Sequence, residues 1–254
     1  MKPVQPGRPR LRKREIAFAV AMGALAAGGA ALFVADDDTD GGQALARGPQ
    51  REMTYQVAPF EEISTVGPQD VVVTLGDTLA IRSEGSPDAL AQLEAIVENG
   101  KLNIRPKGGF PRDGNWGRLE SATFYVTMPR LDAVALAGSG NIRVDRVEGD
   151  SFEGSIAGSG ELVIVAMKVD EANFSIAGGG DVSATGTARE TRVNIGASGE
   201  VRGASLRSEV ASIAIGGSGD VALTVEDEAK VSILGSGMVL ITSPRYRPAE
   251  PRMP

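Results

Sequence analysis

Six near-copies of one glycine-marked segment lie between Ala135 and Leu240. They are Gly138-Ser139-Gly140-Asn141-Ile142, Gly158-Ser159-Gly160-Glu161-Leu162, Gly178-Gly179-Gly180-Asp181-Val182, Ala197-Ser198-Gly199-Glu200-Val201, Gly217-Ser218-Gly219-Asp220-Val221 and Gly235-Ser236-Gly237-Met238-Val239. The second glycine falls at 140, 160, 180, 199, 219 and 237, so successive steps are 20, 20, 19, 20 and 18 residues. A nearly fixed step of this length is the mark of stacked structural repeats.

Positions counted from that glycine recur in kind. Four before it stand Leu136, Ile156, Ile176, Ile195, Ile215 and Ile233, and two after it Ile142, Leu162, Val182, Val201, Val221 and Val239. Six before it the residues are large and apolar in five copies, with Gly154 the exception. Apolar residues two apart signify strands, because side chains alternate between faces. One repeat cannot bury its apolar face alone, whereas stacked repeats can, each aliphatic resting on its equivalent about 4.8 Å away. Twenty extended residues give roughly 66 Å of path, enough for one turn of a coil filled by side chains. Each fully buried aliphatic contributes about 1.5–3 kcal/mol. The pattern predicts an all-β fold, a parallel β-helix with coils of about 20 residues. A leucine-rich repeat has a similar period, but its Leu and Asn consensus is absent. A β-sandwich, the second choice, would place turns every 8–12 residues without identity at 20.

The second glycine never varies among the copies, which predicts either a positive φ or a backbone too close for a side chain. The first is replaced by Ala197 in the fourth copy, so that place is expected to tolerate a Cβ. On this reading Gly219→Val is more destabilising than Gly217→Ala.

The chain contains no cysteine and no histidine, which excludes disulfides, thiolate metal sites and a His-based triad. The formal charge of −7 conceals an asymmetry. Residues 1–35 hold six of the 26 basic and one of the 33 acidic side chains, which leaves 20 basic and 32 acidic and a net of −12 for the rest. A body this acidic argues against nucleic acid as a partner. The basic cluster Arg8 to Arg14 precedes the uncharged run from Ile16 to Ala35. Residues 1–35 are therefore read as a cleaved signal peptide or an N-terminal membrane anchor, with the body outside the cytoplasm. Residues 36–52 read as a flexible linker, 53–244 as the β-helix domain, and 245–254 as a tail rich in Pro and Arg.

Phe60 to Gly67 and Asp70 to Leu75 resemble a first, degenerate coil, and Leu79–Arg82, Lys101–Arg105 and Ala122–Met128 read as strands. Ser86, Pro87 and Asp88 form a helix-start signal, and Leu90, Leu93 and Val97 line one helical face as far as Asn99-Gly100. A short capping helix is expected near 87–98, covering an end of the solenoid. Phe110 and Trp116 lie in a Gly-rich loop and are candidates to contact a ligand, or else to pack on the cap.

The residue after each Gly-Ser-Gly is Asn141, Glu161, Asp181, Glu200, Asp220 or Met238. Stacking aligns Glu161, Asp181, Glu200 and Asp220 in one column, where like charges repel unless screened or bridged. They are candidate Ca²⁺ ligands, although the nine-residue Ca²⁺ repeat of other β-helices does not match a 20-residue step. The plain alternative is solvated turn acids that accept backbone N–H groups. The serine column lacks a base. No matched acid/base pair and no cofactor motif stand out, so no catalytic residue is assigned and no cofactor is expected.

The Phe60-x-x-Ile63 opening, Gly67 before Asp70-Val71, the strand ending in Met128-Pro129 and the serial Gly-Ser-Gly-acid-aliphatic motif resemble the head GIN domain family over roughly residues 57–244. The resemblance implies a right-handed β-helix on an exported bacterial protein, with an adhesin-like or cell-envelope role and no known catalytic residues. The chain departs from that pattern in its last copy, at Met238 and at Leu240-Ile241-Thr242-Ser243-Pro244. The function read from the sequence is an exported, non-enzymatic envelope or surface domain, periplasmic or surface-held, that binds a surface, glycan or protein partner and can self-associate. The alternatives are a polysaccharide-active β-helix enzyme and a self-associating structural module.

Overall fold

A computed structural model describes residues 50–109 and 120–244. The strands in chain order are β1 (Arg51–Tyr55), β2 (Glu62–Gly67), β3 (Asp70–Leu75) and β4 (Ala80–Gly85), then helix α1 (Pro87–Gln92), then β5 (Leu93–Glu98), β6 (Lys101–Pro106) and β7 (Ala122–Met128). The repeat region holds β8 (Ala133–Gly138), β9 (Asn141–Val144), β10 (Val147–Gly158), β11 (Glu161–Gly178), β12 (Asp181–Ile195), β13 (Glu200–Ile215), β14 (Asp220–Ile233) and β15 (Met238–Thr242). These wind into a β-solenoid of about six turns. The predicted signal or anchor segment, nearly all of the linker, the loop holding Phe110 and Trp116, and the tail 245–254 lie outside the described residues.

The aliphatic positions stand in file. Thr65, Leu136, Ile156, Ile176, Ile195, Ile215 and Ile233 pair in parallel register from coil to coil. Val71, Ile142, Leu162, Val182, Val201, Val221 and Val239 form a second column. Up to Ile215 and Val221 these aliphatics are almost fully buried. Gly67 pairs with Gly138, so β2 and β3 do form the first coil. Gly154, the exception in its column, is where Phe152 and Phe174 meet with ring centroids 6.4 Å apart. A Cβ there would lie 2.8 Å from Leu162 Cδ2 and 3.1 Å from Phe174 Cδ1. The missing side chain is the space that the two rings and Leu162 fill.

Turn geometry corrects the glycine assignment. Positive φ belongs to the first glycine, at 139° for Gly138, 137° for Gly158, 141° for Gly178 and 144° for Gly235. The second glycine is needed for close approach, since the Cβ of a side chain at Gly219 would lie 2.6 Å from both Gly199 O and Ile195 Cγ2. The first place is not free either. A Cβ on Gly217 runs into the Ala197 carbonyl. The backbone path changes at the fourth copy: β10 and β11 continue to Gly158 and Gly178, whereas β12 and β13 stop at Ile195 and Ile215. Ala197 and Gly217 both lack the positive φ of the other copies.

The predicted helix covers only its first half. Ser86 caps α1, its Oγ accepting from Ala89 N at 3.0 Å, and Ala89 and Leu90 are buried. The chain then extends into β5, which pairs antiparallel with β6 across Asn99-Gly100. Both turn residues have positive φ, 54° and 77°. Asn-Gly is therefore a hairpin turn and not a helix stop, and β-branched Ile96 and Val97 favour the strand. At this N-terminal end β6 and β7 stack in parallel on β2 and β3. Antiparallel β5, β4 and β1 then follow outward. The cap is thus a set of antiparallel strands carrying a one-and-a-half-turn helix. Tyr55 on β1 packs on Phe124, centroids 5.9 Å apart, and burial pushes its phenol up against the opposing effect of a 3.0 Å bond to Ser83.

Candidate functional site

Two outer faces of the repeat region carry the chemistry available to a partner. On the first, the residues alternating with the buried aliphatics are small. Ser175, Asn194, Ala214 and Ser232 stand in register on successive coils. With Gly196, Gly216 and Leu234 they line a shallow, open groove of about 430 Å³. Side chains this short leave the sheet surface between them within reach of a ligand. The groove offers hydroxyl and amide groups on a shallow surface.

On the second face, beyond the glycine turn, the acid column forms as expected. Asn141, Glu161, Asp181, Glu200, Asp220 and Met238 pair in sequence. Its charge is met from inside the chain. Arg202 Nη2 donates to Glu161 Oε1 at 3.0 Å and to Asp181 Oδ2 at 3.2 Å, and Nη1 donates to Glu200 Oε2 at 2.8 Å. The guanidinium thus reaches the acids of three coils, with Ser183 and Val163 as its column neighbours. Partial burial works against the charged guanidinium, but Asp181, Glu200 and Glu161 outweigh it and hold its pKa above the usual arginine value. At the ends of the column, short acids accept backbone N–H groups: Asp220 from Met238 N at 2.8 Å and Asp70 from Asn141 N at 3.0 Å. The four candidate Ca²⁺ ligands therefore do share one file. Three are bound to Arg202, and among the described residues no cluster of Asp and Glu forms a metal-binding group. Phe110 and Trp116 lie outside the described residues.

Arg202 and the groove are what reading the turn motif alone passes over. The signal for Arg202 lies two places after the acid, where Arg143, Val163, Ser183, Arg202, Ala222 and Leu240 alternate in size and charge. The signal for the groove is the run of small residues flanking the buried isoleucines. No helix among the described residues is long and apolar enough to cross a membrane.

Solved structures share this fold. A "putative adhesin" from Bacteroides fragilis matches with a TM-score of 0.64 at 16% identity, over 77% of this chain and 98% of that one. A "putative lipid binding protein" from Parabacteroides distasonis gives 0.57 at 20% identity, over 77% and 97%. A "putative adhesin" from Parabacteroides merdae gives 0.55 at 15% identity, over 77% and 97%. Comparison with curated proteins returns no match. The family model described as "Putative auto-transporter adhesin, head GIN domain" matches residues 59–243, and the chain belongs to that family.

Proposed function

We propose that this chain is an exported, non-enzymatic adhesin-like domain at or near the cell envelope, with residues 1–35 as its cleaved signal peptide or its membrane anchor, that binds a surface partner along its small-residue groove. The family supports the adhesin-like role. The basic cluster and apolar run before the body support export. The observation that carries the choice of face is the groove itself. It runs across four coils, has a floor of Ser, Asn, Ala and Gly, and exposes hydroxyl and amide groups in register. Repeats at a fixed spacing suit a ligand that also repeats, such as a glycan chain.

The test is binding of the full chain to an array of surface glycans, with Ala214→Trp as the blocking variant. Ala214 is exposed on the groove floor, so an indole there fills the groove without entering the core. The expected result is retained glycan without turnover, and at least a tenfold loss of binding in the variant at unchanged melting temperature. Release of shortened oligosaccharides would establish an enzyme instead. Binding that survives Ala214→Trp would remove the groove from the mechanism.

A further inference from the structure

The described methionines divide sharply by place. Met128 on β7 and Met167 on β11 belong to the core, at 0% and 3% exposure, and Met53 on β1 is half-buried against it. Met238 is 68% exposed. On the last coil it fills the column place that Asn141, Glu161, Asp181, Glu200 and Asp220 hold on the coils before it. That column points outward, and Val239, the next residue, takes the inward place.

The backbone fixes the side chain there. Met238 N donates to Asp220 Oδ1 at 2.8 Å, and β15 pairs with β14 in register from Met238 to Thr242. On its other side β15 has no strand partner among the described residues. A thioether sulfur is soft and polarisable and needs no deprotonation to react. Its reactivity in a folded chain is therefore set by access. The chain has no cysteine to compete for an oxidant.

We propose that Met238 is a site of reversible oxidation, where hydrogen peroxide converts the thioether to a sulfoxide while Met128 and Met167 are spared. A sulfur lone pair attacks one peroxide oxygen, and the O–O bond breaks as the S–O bond forms. The other oxygen leaves as hydroxide and takes up the remaining proton to become water. Sulfur gives up two electrons and the peroxide accepts them. Met238 and Leu240 share the outward face of β15, so the product sets a polar S–O group beside an exposed leucine. The fold is untouched, because the new oxygen stays in water. The same reaction at Met128 or Met167 buries a polar oxygen among aliphatic groups. The proposal does not depend on what the groove binds.

The test treats the full chain, in detergent, with millimolar hydrogen peroxide and follows each methionine by peptide mass mapping. Met238 is expected to gain one oxygen at least about tenfold faster than Met128 and Met167, with Met53 between them. The chain oxidised at Met238 should keep the circular-dichroism melt of the untreated chain, and a methionine sulfoxide reductase should restore the original mass. Met238→Leu should keep the same melt and leave the slow rates at Met128 and Met167 as they were. Oxidation of Met238 no faster than that of Met128 and Met167 would overturn the proposal, because the sulfur would then be covered in solution. So would a lower melting temperature caused by oxidation at Met238, because the side chain would then be packed.

Discussion

Gly219→Ala isolates the close approach of adjacent coils. A Cβ at this position would lie 2.6 Å from Gly199 O and 2.6 Å from Ile195 Cγ2. Ordinary contacts at these atoms lie well beyond 3 Å, so the two coils must part by more than half an ångström. Ile195 cannot yield, because it is packed between Ile176 and Ile215 at 3% exposure. Overpacking of this kind costs about 1–3 kcal/mol. Gly199 O is also the acceptor for Asp220 N at 3.1 Å, and displacing it forfeits about 1 kcal/mol more. The sum is roughly 2–4 kcal/mol, which for a domain of this size lowers Tm by about 4–16 °C. The control is Gly179→Ala, whose Cβ meets nothing within 4 Å. It should leave Tm unchanged or raise it slightly by restricting the unfolded chain. Thermal melts by circular dichroism on the two variants decide the matter. A Gly219→Ala melt within 2 °C of the Gly179→Ala melt would refute the idea that stacking distance, and not backbone dihedral, fixes the second glycine.

Two further substitutions probe polar groups. Thr65 holds the isoleucine position in the first coil, fully buried between Ile104 and Leu136, and its Oγ1 has no hydrogen-bond partner. Thr65→Val removes that orphan group at constant shape and should stabilise by about 1 kcal/mol or more, read as a higher urea midpoint at unchanged m-value; a lower midpoint would show that the hydroxyl is satisfied in solution. Arg202→Ala leaves Glu161, Asp181 and Glu200 facing one another without a counter-charge. Each partner is more than one-third exposed, so the loss should stay near 1 kcal/mol and shrink in high salt. In that variant millimolar Ca²⁺ should raise Tm, while in the parent chain the guanidinium already bridges the carboxylates; a calcium shift of equal size in both would show that Arg202 does not compete for the column.

What repeats identically was legible before any coordinates. The isoleucine file and the valine file needed only the 20-residue step and strand alternation, and the registers bear them out at every coil. The first coil was legible too, from Phe60, Ile63 and Gly67, although Gln69 stands there in place of the second glycine. The helix ends at Gln92 and not near 98, since Leu90, Leu93 and Val97 fit a helical face while Leu93, Ala95 and Val97 fit one face of a strand. Asn99-Gly100 serves equally as helix stop or hairpin turn in local sequence. Pairing with β6 decided the outcome, and that is a non-local event.

What compensates between coils was harder to read, because each departure makes sense only beside its neighbour. Gly154 looks like a defect until Phe152 and Phe174 are seen to meet over it. Gly203 is similar, since a Cβ there would lie 2.5 Å from Leu223 Cδ2, in space that the next coil's leucine fills. Ser183 stands beside Arg202, which reaches past that coil to Glu161 two coils away. In each case a position gives up volume and an adjacent coil uses it, which keeps the interior close-packed while the sequence drifts. The last coil breaks this rule. Leu234, Met238 and Leu240 gain volume on the outside, where they stand exposed.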